Sequence, residues 1–215
     1  MEWYGNESMW EGRFITFLEG ASADAAHDLG HVRRVVHAAR ALAALEGARL
    51  DVVLPAAWLH DCVAVSKDSP LRAQASRLAA DRAVGFLREG GFPEGLLEAI
   101  GHCIHAHSFS AKVEPVTIEA KVVQDADRLE ALGAIGLWRC IATGEAMRRP
   151  FLHPDDPFWE HRDPDDAAYG LDHLPVKLLT LAGTMRTEAG RAEAVRRTGF
   201  LEIFLAQLRS ELPGR

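Results

Sequence analysis

One run constrains this chain more than any other: Leu50 to Cys62, LDVVLPAAWLHDC. Val52 to Leu59 is apolar on every side, so no face is left for water. A helix of that kind belongs in the middle of a domain, not on its surface. It delivers His60 and Asp61, side by side, at its C-terminal end. An imidazole and a carboxylate are costly to bury unless something bonds them. A divalent metal is a partner that satisfies both at once.

The neighbouring segments read as helices. Residues 8–19 form a short amphipathic helix with Trp10, Phe14, Phe17 and Leu18 on one side. The next helix spans Asp24 to Glu46 and stops at Gly47, a residue suited to a C-cap. Asp51 is the expected cap of the central helix, with Pro55 a possible kink. Ser69-Pro70 opens a helix that runs to Gly90-Gly91. Pro93 opens another, ending near His107, and Thr117 caps a long one carrying Val122, Asp125, Asp127, Leu129, Leu132 and Trp138. Periodicity is lost from Gly144 to Pro175 and returns at Val176–Met185 and Glu188–Leu212. No segment alternates as a strand. The expected fold is all-α, one domain over residues 1–215, with a long irregular loop before the last two helices.

Three of these helices point His or Asp inward. His31 shares an apolar stripe with Val35, Ala38 and Leu42. Taken alone, such a residue is more often a core histidine bonded to a backbone carbonyl. Asp127 lies on a stripe with Ala120, Val123, Ala131, Ala134 and Trp138, with no obvious partner on its own helix. Asp125, about 200° away at roughly 100° per residue, has Lys121 and Arg128 within one turn and reads as a surface ion pair. His31, His60, Asp61 and Asp127 together offer two imidazoles and two carboxylates, a set that suits manganese, iron, zinc, nickel or magnesium. Four protein ligands on a six-coordinate ion leave room for water and a substrate oxygen, which such an ion polarises.

Composition excludes several classes. A net charge of −7 and pI near 5.8 argue against a general nucleic-acid surface. The three widely spaced cysteines, Cys62, Cys103 and Cys140, make neither a disulfide framework nor a zinc knuckle. No run reaches transmembrane length and the start MEWYGNES lacks a leader pattern, so the expectation is a cytoplasmic protein without membrane association.

His31 followed by VRRV, then WLHDC, then DADRLEALGAIG, resembles the HD-domain metal-dependent phosphohydrolase superfamily, with its H…HD…D signature. KDSPLRAQAS, HSFS and DHLPVKLLTL resemble a bacterial subgroup of it. The resemblance implies a single HD-type helical bundle in which His31, His60, Asp61 and Asp127 hold the metal and Asp61 is also catalytic. It implies a phosphohydrolase acting on a nucleotide or related small phosphate ester, nucleoside triphosphates favoured. The implied cofactor is a divalent ion, manganese first, with magnesium, cobalt, nickel, iron or zinc as alternatives. Ala64 and Val65 stand where some members carry acidic or amide side chains used in catalysis. That departure supports a second reading, a metal- and nucleotide-binding regulatory module without turnover.

Further candidates surround these residues. Lys67 and Arg72 flank the Ser69-Pro70 helix start, and two cations at a helix N-terminus suit a phosphate. Arg128, beside Asp127, is a third cation for substrate. Of His102, His105 and His107, His107 is the expected substrate contact, with a second metal as the other possible use of the cluster. His27 and Asp28 could orient ligands from one turn before His31. Arg148, Arg149 and His153, with Phe151, Phe158, Trp159 and Tyr169, could close the irregular loop over a base.

Overall fold

The computed structural model describes residues 6–21, 29–63, 65, 69, 71–108 and 111–212. His27, Asp28, Ala64, Lys67 and the side chain of Arg72 lie outside the described residues. Among the described residues all regular structure is helical. The chain divides into two compact units, Met1–Asp127 and Arg128–Arg215.

The first unit is built on α3 (Leu50–Leu59), in which every residue from Asp51 to Leu59 is buried. Against it pack α2 (Leu29–Glu46) and α5 (Glu94–His107), and α5 pairs with α4 (Ala75–Glu89). The helix ends follow local chemistry. Gly47 takes φ +68°, and Ala48 N–H then closes on the Ala43 carbonyl at 3.0 Å. Gly91 takes φ +78° behind α4. Gly90 is held close by α1 (Glu7–Ala21): a Cβ there would lie 2.8 Å from the Trp10 ring, and Arg13 donates to the Gly90 carbonyl at 3.0 Å. Trp10, Phe14 and Leu18 are the buried side of α1, while Phe17 stacks on Phe86 with ring centroids 4.0 Å apart.

Two expected helix starts move. Arg49, in extended conformation, is the cap residue of α3, and Asp51 sits inside the first turn, paired with Arg49 at 2.9 Å. Pro55 lies inside the helix, where it removes one backbone hydrogen bond. After Ser69, whose hydroxyl accepts from Leu71 N–H at 3.2 Å, a 3₁₀ turn at Arg72–Gln74 precedes α4. Thr117 does cap α6 (Ile118–Leu129), accepting from Ala120 N–H at 3.1 Å.

The long helix expected from Thr117 through Trp138 is broken. Ala131 and Leu132 N–H bond back to Arg128 and Leu129 at 3.1 Å, a tightened turn. Leu132 is extended, Gly133 has φ +67°, and α7 (Gly133–Ala146) begins there. Trp138 is therefore off the Asp127 stripe and 60% exposed.

In the second unit, α7 packs on the 24-residue α9 (Glu188–Glu211), which also meets the 3₁₀ helix Leu178–Thr184 that follows the short α8 (His173–Val176). The irregular stretch before α8 folds around Asp172, which is fully buried. Arg162 grips its carboxylate with both terminal nitrogens, one at 2.8 Å, and Trp159 Nε1 and Asp165 N–H donate to it at 2.7 Å each. Trp159 is held at φ +58°, a strained value for a bulky residue. Arg149 donates to the Asp166 carbonyl, and His153 Nδ1 accepts from Asp155 and Asp156 N–H at 3.1 and 3.0 Å. Arg149, His153 and Trp159, expected to meet a base, are thus bonded within the loop itself.

Candidate metal centre

α2, α3, α5 and α6 each bring part of one cluster. His60, at the end of α3, is wholly buried. Its Nδ1 lies 2.8 Å from the Ala57 carbonyl one turn back, which assigns the proton to Nδ1 and leaves the Nε2 lone pair free. That Nε2 has no hydrogen-bond partner. Around it stand Asp61 Oδ2 at 3.6 Å and Asp127 Oδ1 at 3.7 Å. His31 Nε2 reaches the same Asp127 oxygen at 3.5 Å. His107 repeats the device of His60: Nδ1 lies 2.6 Å from the Ile104 carbonyl and Nε2 3.5 Å from Asp61 Oδ1.

Two groups with all ligand atoms within 4.8 Å of one another result, His31–His60–Asp127 and His60–Asp61–His107, sharing His60. Either could hold a metal ion. The fit is more than proximity. A buried imidazole nitrogen without a partner is costly, and a cation at the focus of these atoms is the group that would satisfy it. The carbonyl bonds to Nδ1 of His60 and His107 fix the ring orientations, as supporting shells do in metal centres.

The electrostatics agree. Burial pushes the His60 imidazole below its ordinary range, against the pull of Asp61, so it is held neutral as a ligand must be. Burial would raise the Asp127 carboxyl, but the His31 hydrogen bond, with His107 nearby, outweighs it and holds the carboxyl below its ordinary range. Asp61, whose side chain is half exposed, is likewise held low despite desolvation, chiefly by His60 and His107. His107 moves the other way: desolvation disfavours its charged form, but the bond to Asp61 favours it more and its pKa is raised.

The structure thus gathers His31, His60, Asp61 and Asp127, and adds His107, which the sequence assigned to substrate. Arg128 donates to the Thr184 carbonyl at 2.7 Å. His102 is occupied elsewhere, its Nε2 accepting from Val116 N–H at 3.2 Å. The sequence missed Gln124, buried on α6 one turn before Asp127, which donates to the Ala106 carbonyl at 2.7 Å and ties α6 to the end of α5. Asp125 corrects an expectation: it is fully buried rather than a surface ion pair. Residues Val122 to Ala126 are all buried, so α6 has no solvent face there for Asp125 to occupy.

The HD-domain family profile matches residues 28–132, a span that contains all five cluster residues. YpgQ of Bacillus subtilis (strain 168), itself uncharacterized, is 33% identical over 192 residues, covering 87% of this chain and 85% of its own. The chain belongs to the HD-domain phosphohydrolase superfamily. Two solved structures extend the likeness over nearly the full length. The crystal structure of B. subtilis YpgQ in complex with ADP superposes with a TM-score of 0.72 at 28% identity, covering 97% of this chain and 98% of that one. An HD-superfamily hydrolase from Bacillus thuringiensis gives 0.71 at 32% identity, covering 94% and 97%.

Proposed function

We infer that the chain is a metal-dependent phosphohydrolase acting on nucleotides, with nucleoside triphosphates as the favoured substrates. The observation that carries this reading is the orphaned Nε2 of buried His60, ringed by Asp61 and Asp127 and adjoining His31 and His107. Family membership supplies the reaction class, and the ADP complex of B. subtilis YpgQ supports a nucleotide ligand. His31, His60, Asp61 and Asp127 would hold a divalent ion, manganese first. Bound there, such an ion supplies Lewis-acid polarisation of a phosphoryl oxygen and acidifies water.

The residues then divide the remaining work. His60, wholly buried, and Asp127, partly buried, fix the position of the site. Asp61, half exposed, is the carboxylate that substrate and water can reach, which suits it for a catalytic role. His107, whose Nε2 lies 3.5 Å from Asp61 Oδ1, is proposed to contact a phosphoryl oxygen of the substrate. Lys67 and Arg72 are proposed to neutralise phosphate charge as it develops in the transition state.

The test is release of inorganic phosphate and pyrophosphate from a panel of nucleotides, with manganese, magnesium, cobalt or nickel and with a chelator. Metal-dependent release is expected, abolished by chelation. Pyrophosphate as the product would locate cleavage after the α-phosphate. No release by the metal-loaded protein from any nucleotide, or equal release in chelator, would overturn the reading.

A further inference from the structure

Ser76, at the second position of α4, is 4% exposed, and its hydroxyl is buried with no hydrogen-bond partner. A buried hydroxyl left unpaired costs free energy that an alanine in its place would not. At the start of α4 Gln74 makes no side-chain cap bond, and the first turn holds no acidic residue to repel an anion. Unpaired N–H groups at a helix start carry partial positive charge, which favours an anion. Because Cα–Cβ bonds tilt toward a helix's N-terminus, Ser76 carries its hydroxyl to that same end.

Two contacts place this turn beside the metal cluster. Cys62, the residue after Asp61, donates Sγ to the Ala79 carbonyl at 3.4 Å, one turn into α4. Chain geometry then sets the start of α4 on the order of 10 Å from the Asp61 backbone. In the α4–α5 hairpin a Cβ on Gly101 would meet Val84 Cγ2 at 3.2 Å. Continuing that antiparallel register brings Ser76 level with the end of α5, where His107 stands.

We propose that the first turn of α4 is a phosphate-binding turn in which the Ser76 hydroxyl donates to a phosphoryl oxygen of the substrate held at the HD cluster. It rests on the phosphohydrolase reading for the identity of the substrate, not for the presence of the anion site. The distance to Asp61 suits a phosphoryl group further along a polyphosphate from the one at the cluster.

The decisive measurement is calorimetric titration of inorganic pyrophosphate into the manganese-loaded parent and Ser76→Ala proteins, with metal content and unliganded melting temperature recorded for both. Ser76→Ala should bind pyrophosphate about tenfold more weakly, the size of one lost hydrogen bond to a charged acceptor. It should keep its metal and melt at the parent's temperature or above. Unchanged affinity, or weaker binding accompanied by a lower melting temperature, would overturn the proposal, the latter marking a structural hydroxyl. A second measurement needs no variant: pyrophosphate should slow amide exchange at residues 75–77 of the parent, and unchanged exchange there would refute the site. If Ser76 governs pyrophosphate binding but no nucleotide is hydrolysed, the hydrolase reading falls and the phosphate turn stands. If nucleotides are hydrolysed with the same KM in Ser76→Ala, the turn falls and the hydrolase reading stands.

Discussion

Asp125 and Asp127 stand two residues apart on α6, both carboxylates; Asp125 is fully buried, and Asp127 reaches His31 and His60. The direction of Asp127 was legible because a lone carboxylate on a small apolar stripe needs an inward partner. The burial of Asp125 was not, because nearby Lys121 and Arg128 give a buried helix the same local pattern as a surface one. The two should respond differently to the same isosteric change. Asp127→Asn should strip most of the metal, since a neutral amide oxygen is a poorer ligand for a hard cation. Asp125→Asn should keep the metal and lose about 1–3 kcal/mol of stability, the cost of disturbing a buried polar group's partners. Elemental analysis beside urea unfolding reads both; an empty site in Asp125→Asn with a loaded one in Asp127→Asn would reverse the assignment. His107 shows the converse limit. Its spacing marked a candidate, but membership of the His60–Asp61 group depends on α5 crossing α3, which no local pattern encodes.

Helix ends set by one residue's conformation or hydroxyl, such as Gly47, Gly91 and Thr117, could be read directly from the sequence. The break between α6 and α7 could not. Leu132 carries no breaking chemistry, and a Gly at 133 or 136 is tolerable inside a helical pattern. The cause is a close approach: a Cβ on Gly136 would lie 2.2 Å from the Ala131 carbonyl carbon and oxygen, backbone atoms with little freedom to yield. Gly136→Ala should therefore destabilise by at least about 1–3 kcal/mol, as overpacking does. Gly199→Ala, in mid-α9 with nothing within 4 Å of the added carbon, should stabilise by about 0.5–1 kcal/mol. Equal melting temperatures for the two variants would remove the steric account of the break. The irregular stretch before α8 was visible as a loss of periodicity. Its organiser, Asp172, was one Asp among many, because a hub bonded by Trp159, Arg162 and Asp165 is defined by contacts across the loop.

At the scale of the whole molecule, the all-α class followed from helical periodicity in almost every segment, and the placement of α3 from the absence of any polar face. Among the described residues no helix is long and apolar enough to cross a membrane. The two compact units were not visible in composition, because no linker-like stretch marks the boundary, which falls inside α6. The central claim is that the His–Asp cluster of the first unit is a metal centre, and binding confined to the folded state must then stabilise it. The stabilisation should grow with RT ln(1 + [L]/Kd), about 2.7 kcal/mol at a hundredfold excess over Kd. The most direct measurement is the melting temperature of metal-stripped protein titrated with manganese, magnesium, cobalt and nickel, with metal content read on the same samples and Asp127→Asn alongside. The account predicts about one ion per chain for at least one of these metals, a rise in melting temperature on loading, and loss of both in Asp127→Asn. A folded parent that takes up none of the four ions and shows no shift with any of them would contradict it.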